Sequence, residues 1–248
     1  MDKILLEICC GSAEDCARAE AGGADRVELN SALFLGGITP SIGTMKLARE
    51  LCHIPIMAMV RPRAGGFCYT ESELKAMEYD AKALIEAGAD GIVFGFLSSD
   101  GTLDFEKCAR FTQLAHDMHA QAVFSRAIDV VPDWRRALDE LIDIKIDRVL
   151  TSGQMPSAPL GLDVIAEMVE YAHGRIEILP GAGINARNIR SVIKSTGCTQ
   201  AHMSAKGRAA DTSCAGNASI HFGGALYPPE DVYDTVDGAA VAAIKERI

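Results

Sequence analysis

The sequence predicts a single (β/α)8 barrel, and three observations predict it. Eight short β-rich runs recur along the 248 residues, helix-like segments with start signals lie between them, and no linker or low-complexity stretch divides the chain. A doubly wound open sheet is the alternative, but no G-x-G-x-x-G turn follows the first run.

The runs are Ile4 to Cys9, Arg26 to Asn30, Ile56 to Arg61, Gly91 to Phe96, Ala122 to Arg126, Arg148 to Ser152, Ile176 to Pro180 and Gln200 to Ser204. Each is short and rich in apolar residues, as strands buried beneath helices must be. Ser12, Ser41, Thr70, Asp104, Asp133 and Asn185 precede the intervening segments and have side chains that cap helix N-termini. After the eighth run, residues 205–231 are rich in Gly, Ala and Ser with little periodicity, so a long loop is expected there, mobile or covering the barrel mouth.

Composition bounds the partners. Lys plus Arg number 24 against 34 Asp plus Glu, a net −10, so no basic face for nucleic acid or an anionic membrane is expected. The longest apolar runs are too short to span a bilayer and no signal-peptide pattern opens the chain, which predicts a cytosolic protein. The eight cysteines are scattered without a C-x-x-C, and the six histidines form no H-E-x-x-H, so neither a disulfide framework nor a zinc site is signalled.

Barrel geometry gives the polar strand residues a meaning. Side chains alternate, so Leu5, Glu7 and Cys9 share one face while Leu6, Ile8 and Cys10 share the other. A carboxylate is tolerable only on the inward side, which turns Cys10 outward beneath a helix. Arg26, Glu28 and Asn30 point together by the same rule, as do Met57, Met59 and Arg61. Strand ends then carry Arg61, Arg63, Arg126, Asp129, Arg148, Thr151, Ser152 and His202. Converging guanidinium groups suit a small polar or anionic ligand, with an internal ion-pair network, Arg61 to Glu7 and Arg126 to Asp129, as the structural alternative. Glu7, Glu28, Arg61 and Arg126 are expected in one cavity at the strand C-termini. His116 and His119 fall on a helix toward solvent.

"PGAGINARNI" (Pro180 to Ile189) places Gly181 and Gly183 at the end of the seventh run, before a helix, where backbone N–H groups can hold an anion. With these groups a lyase, isomerase or hydrolase acting on a small sugar-like or phosphorylated compound is chemically reasonable, Glu7 or Glu28 being the base and the arginines an electrostatic clamp. A binding barrel without chemistry is the third possibility.

"LEICCGSAEDCARAEAGGADRVELNSALFLGGITPSIG", "VRPRAGGFCYTESEL", "DGIVFGFLSSDGTLD", "RVLTSGQ" and "GAGI" together resemble the CutC copper homeostasis family, in order from about Leu5 to Ala242. The resemblance implies a cytosolic barrel associated with copper, the only cofactor suggested, and leaves a homo-oligomer open. Glu7, Cys9, Arg26, Glu28, Arg61, Pro62, Arg63, Arg126, Asp129, Arg148, Ser152, Gly153 and His202 fall where the family pattern has them. Asn30 stands where the family commonly has a thiol, and Ser125 where it commonly has an imidazole. Both changes remove soft donors, so tight cuprous binding is not expected. Cys9 remains open between a metal ligand, with Met57, Met59 or His202, a nucleophile and a small mouth-lining residue.

Overall fold

The computed structural model describes residues 4–217, 219–222 and 230–248. Strand and helix alternate as β1 (Leu5–Cys10), α1 (Ala13–Ala21), β2 (Arg26–Leu29), α2 (Ile42–Leu51), β3 (Ile56–Met59), α3 (Glu71–Glu86), β4 (Gly91–Phe94) and α4 (Phe105–Asp117). They continue as β5 (Gln121–Phe124), α5 (Trp134–Asp143), β6 (Arg148–Thr151), α6 (Leu162–Ala172), β7 (Glu177–Pro180), α7 (Ile189–Thr196) and β8 (Gln200–Met203). A two-stranded ribbon, β9 (Lys206–Ala210) and β10 (Val232–Val236), and helix α8 (Gly238–Lys245) follow.

Eight strands form one sheet in the order β7-β6-β5-β4-β3-β2-β1-β8, and every ladder in it is parallel. The sheet curls into a nearly closed barrel. Among the described residues no ladder joins β7 to β8; a groove of about 370 Å³ runs along that seam, and Gln200 Nε2 reaches across it to Glu177 Oε2 at 3.3 Å.

Local chemistry sets the helix starts. Ser12 Oγ accepts from the Asp15 amide, Ser41 Oγ from Thr44, Asp104 from Lys107, and Thr70 forms a reciprocal capping box with Glu73. Asn185 does not open α7. That helix begins four residues later at Ile189, because Asn185 and Asn188 first close a polar turn in which the Asn188 side chain accepts from the Asn185 amide at 2.8 Å.

Strand alternation separates two apolar regions. Leu6, Ile8 and Cys10 of β1, with the matching positions of the other strands, meet the helices in the main core, while Met57, Met59, Val93 and Val123 form a separate small apolar patch inside the barrel. The strands end sooner than expected where the chain leaves the barrel. β3 stops at Met59 before the Arg61-Pro62 bond, since proline has no N–H to donate. β5 stops at Phe124, which leaves Ser125 and Arg126 to a short 3-10 turn, Arg126–Val130.

Part of the segment expected to be a loop is structured. Lys206–Ala210 pairs antiparallel with Val232–Val236, and the ribbon lies mostly exposed, which is why its sequence shows no apolar alternation. Residues 218 and 223–229 of that segment lie outside the described residues. The ribbon stands at the mouth rim, tied to α1 by Asp15, whose Oδ1 accepts from Thr235 Oγ1 and the Val236 amide, both at 2.7 Å. Asp15→Ala should therefore loosen the ribbon, with faster hydrogen exchange over 206–210 and 232–236 and a stability loss of about 1–3 kcal/mol from the stranded donors. Unchanged exchange in both strands would refute this tether.

Candidate active site

The inward residues of β1, β2 and β8 meet at the centre of the barrel. Glu7 is paired in register with Arg26 on one side and His202 on the other, and Cys9 with Glu28. Glu7 is 3 % exposed. Its Oε2 accepts from Arg26 Nε, and its Oε1 lies 2.7 Å from His202 Nδ1. The Cys9 thiol points at Glu28 Oε2, 3.8 Å away. Asn30 Nδ2 donates to Glu28 Oε2 at 2.8 Å and lies 3.5 Å from Cys9 Sγ. The donor atoms of Cys9, Glu28 and His202 all fall within 4.8 Å of one another.

This packing divides the protons unevenly. Burial pushes the Glu7 carboxyl up, but Arg26 and His202 outweigh it and hold the group down to about 2. Burial also drives Glu28 up; His202 opposes this, the Glu7 charge adds to it, and the net direction is upward. For His202 burial disfavours the cation, yet Glu28, Cys9 and Glu7 together raise it well above the ordinary 6.5. The Cys9 thiol is raised chiefly by burial, so it is a neutral thiol rather than a ready nucleophile.

The other expected residues form separate groups. Arg61 is not the partner of Glu7. Its guanidinium donates to the carbonyls of Leu35, Gly36 and Gly37 at 3.1–3.3 Å and of Gly65 at 2.7 Å, and lies over the Phe67 ring, so it ties two mouth loops together. Arg63 pairs with Glu73 and stacks on Tyr69. Arg126 does pair with Asp129, at 2.8 Å, and reaches Ser152 Oγ at 2.6 Å. Asp129 also accepts from Thr151 Oγ1, the Ser152 amide and the Gln154 amide, which makes it the anchor of the rim rather than a free base. The single cavity expected for Glu7, Glu28, Arg61 and Arg126 thus resolves into a buried cluster and two rim networks.

Arg148 is corrected in position. As the first residue of β6 it lies at the opposite end of the strand from the mouth, where it bonds Glu177 at 2.7 Å and Gln121 at 3.2 Å. Ser125 caps the turn after β5 and lies against Gly95, where a Cβ would sit 2.5 Å from its Oγ. Gly181 has a packing reason: a Cβ there would come within 2.7 Å of Leu150 Cδ1 and 3.3 Å of the His202 ring. Gly183 adopts φ +74° against Ser157, and the polar turn separates both glycines from α7, so no helix terminus faces them. His116 meets Asp147 at 2.9 Å as well as solvent. Met57 and Met59 pack on valines inside the barrel, and Cys10 is fully buried beneath the helices.

Sequence reasoning missed the pairing of Arg26 with Glu7, and with it the polar floor in which Arg26 reaches Gln200 at 2.8 Å. The signal was present, because alternation already placed Arg26 on the face of Glu28. Beside the cluster a hollow of about 20 Å³, room for a single water, lies between Cys9, Leu33 and the ribbon.

Two outcomes follow. Glu7→Gln leaves Arg26 and His202 without their shared anion and should cost about 3–5 kcal/mol in urea unfolding, because a buried charge loses its partner. For pH, the raised His202 contributes stability that is fully present below 6.5 and is lost as pH rises through the folded value; the lowered Glu7 contributes stability present above 4.5 and lost as pH falls toward 2. Unfolding free energy should decline above pH 6.5, with a shallower slope in His202→Gln. An equal slope in both proteins would contradict the assignment.

The CutC family model matches residues 4–207. A CutC family protein of Treponema denticola is 55 % identical over 93 % of this chain and 93 % of its own length. The human copper homeostasis protein cutC homolog is 39 % identical over 90 % of this chain and 81 % of its own. The crystal structure of the copper homeostasis protein CutC from Streptococcus agalactiae superposes with a TM-score of 0.76 at 34 % identity, covering 81 % of this chain and 98 % of that one. By sequence and by fold, the chain belongs to the CutC family.

Proposed function

We propose that this barrel is an acid–base enzyme acting on a small polar or anionic molecule at its mouth. Glu28 is the group that gains and loses a proton, His202 is its acid partner, and Glu7 is the fixed anion behind the imidazole. The observation that carries the reading is the divergence of two carboxylates around one imidazole: Glu7 is held at about 2 while Glu28 is pushed up. Such a division separates a permanent charge from a group that can exchange its proton nearer neutrality. Arg126 supports an anionic preference, since Asp129 and Ser152 aim its guanidinium while the side chain stays 39 % exposed at the rim. A cytoplasmic site of action belongs to the same proposal.

The names of the human and Streptococcus agalactiae relatives point to copper instead. The cluster of Cys9, Glu28 and His202 is the observation that favours this second reading. The donor set fits a cuprous ion poorly. It offers one thiol, one imidazole and a hard carboxylate, and both the thiol and the imidazole hold their protons more firmly than usual. The methionine sulfurs that would complete a soft site belong to residues packed with Val93 and Val123.

The test is solvent deuterium exchange into aldose phosphates, ketose phosphates and sugar acids, followed by NMR. Exchange with one of these classes is expected, slowed about 10²- to 10⁴-fold in Glu28→Gln; no exchange with any of them would overturn the acid–base reading. Under anaerobic, reducing conditions the protein should surrender cuprous ion to a strong colorimetric chelator, and Cys9→Ser should behave alike. Stoichiometric copper kept against the chelator and lost in Cys9→Ser would establish the copper reading in its place.

A further inference from the structure

Among the three groups of the mouth cluster that a cation could use stands a fourth side chain that opposes one. Asn30 is 1 % exposed. Its Nδ2 donates to Glu28 Oε2 at 2.8 Å and to the Glu28 carbonyl at 3.3 Å, and it lies 3.5 Å from Cys9 Sγ. The thiol and the carboxylate oxygen are themselves 3.8 Å apart, so the amide faces both atoms that would have to bridge an ion. An approaching cation would meet partly positive N–H hydrogens directed at the lone pairs it needs.

The amide is also held in this orientation. Gly37, at φ +82°, packs its bare backbone against the amide oxygen so closely that a Cβ would lie 2.4 Å from Oδ1. Turning the amide over would aim its oxygen at the Glu28 carboxylate and bury its N–H groups against Gly37, away from the acceptors they now have.

We propose that Asn30 excludes metal ions from the Cys9–Glu28–His202 cluster, its buried amide occupying the thiol and carboxylate lone pairs that a cation would require. The inference goes beyond the acid–base reading and stands on geometry alone, whatever reaction the mouth performs. Removing the amide should expose three ligands of mixed sulfur, nitrogen and oxygen character, a set suited to a borderline divalent ion such as cobalt or zinc.

The probe is Co²⁺, whose bond to a thiolate gives a charge-transfer absorbance. Wild-type protein should show no such band under reducing, anaerobic conditions. Asn30→Ala should bind Co²⁺ about 10- to 100-fold more tightly than wild type, with the thiolate band, and Cys9→Ser in that background should abolish the band. Asn30→Leu keeps the shape of the amide without its donors; it should behave like the alanine form and replaces it if that protein does not fold. A thiolate band in wild type that disappears in Cys9→Ser, or folded Asn30 variants that bind Co²⁺ no better than wild type or bind it without the thiolate band, would overturn the proposal.

Discussion

The site depends on one buried anion. Glu7 lies in the barrel interior, where an unpaired carboxylate would be prohibitively costly, and it is tolerated because the strands on either side bring Arg26 and His202 to its two oxygens. The register of β2 and β8 against β1 is the register that makes those contacts. Once His202 is held by Glu7, the strand pairing sets Cys9 and Glu28 beside it. Beneath them Arg26, Gln200, Glu177, Arg148 and Gln121 continue the hydrogen-bonded chain to the N-terminal end of the barrel. The interior is therefore a polar column flanked by a small patch of Met57, Met59, Val93 and Val123, an unusual filling for a barrel that more often stacks branched apolar side chains.

The rim divides its polar residues differently. Arg61 stitches the loops after β2 and β3, and Asp129 gathers the loops after β5 and β6. Both are structural in their direct contacts, and the loops they hold carry at most short 3-10 turns. Arg126 keeps 39 % of its side chain exposed, whereas both terminal nitrogens of Arg61 are taken up by loop carbonyls, which is why Arg126 and not Arg61 enters the functional reading.

The barrel was legible because the strand runs and caps are written locally: Ser12, Ser41, Thr70, Asp104 and Asp133 all cap the helices that their side chains forecast. Alternation likewise placed Glu7 and Cys9 inward and Cys10 outward. What it could not supply was which inward cation meets which inward anion, since that depends on the stagger between strands; Arg61 was matched to Glu7 when Arg26 lies directly beside it. Arg148 was misplaced because a four-residue strand carries its first residue to one end of the barrel and its last to the other. The ribbon was illegible for another reason, since strands exposed on both faces need no apolar rhythm.

The unpaired seam bears on how the molecule is made. β8 joins the free edge of β1 rather than that of β7, so the sheet is extended from its first strand by its last one. Glu7 and His202 stand 195 residues apart in sequence, and the buried anion has no imidazole until β8 has been made. A nascent chain emerging in order would hold seven strands with two open edges and an incompletely compensated charge at its centre. Closure is consequently a late, long-range event with a large loop-closure cost. A ribosome-bound fragment lacking β8 is thus the species with most reason to need a chaperone.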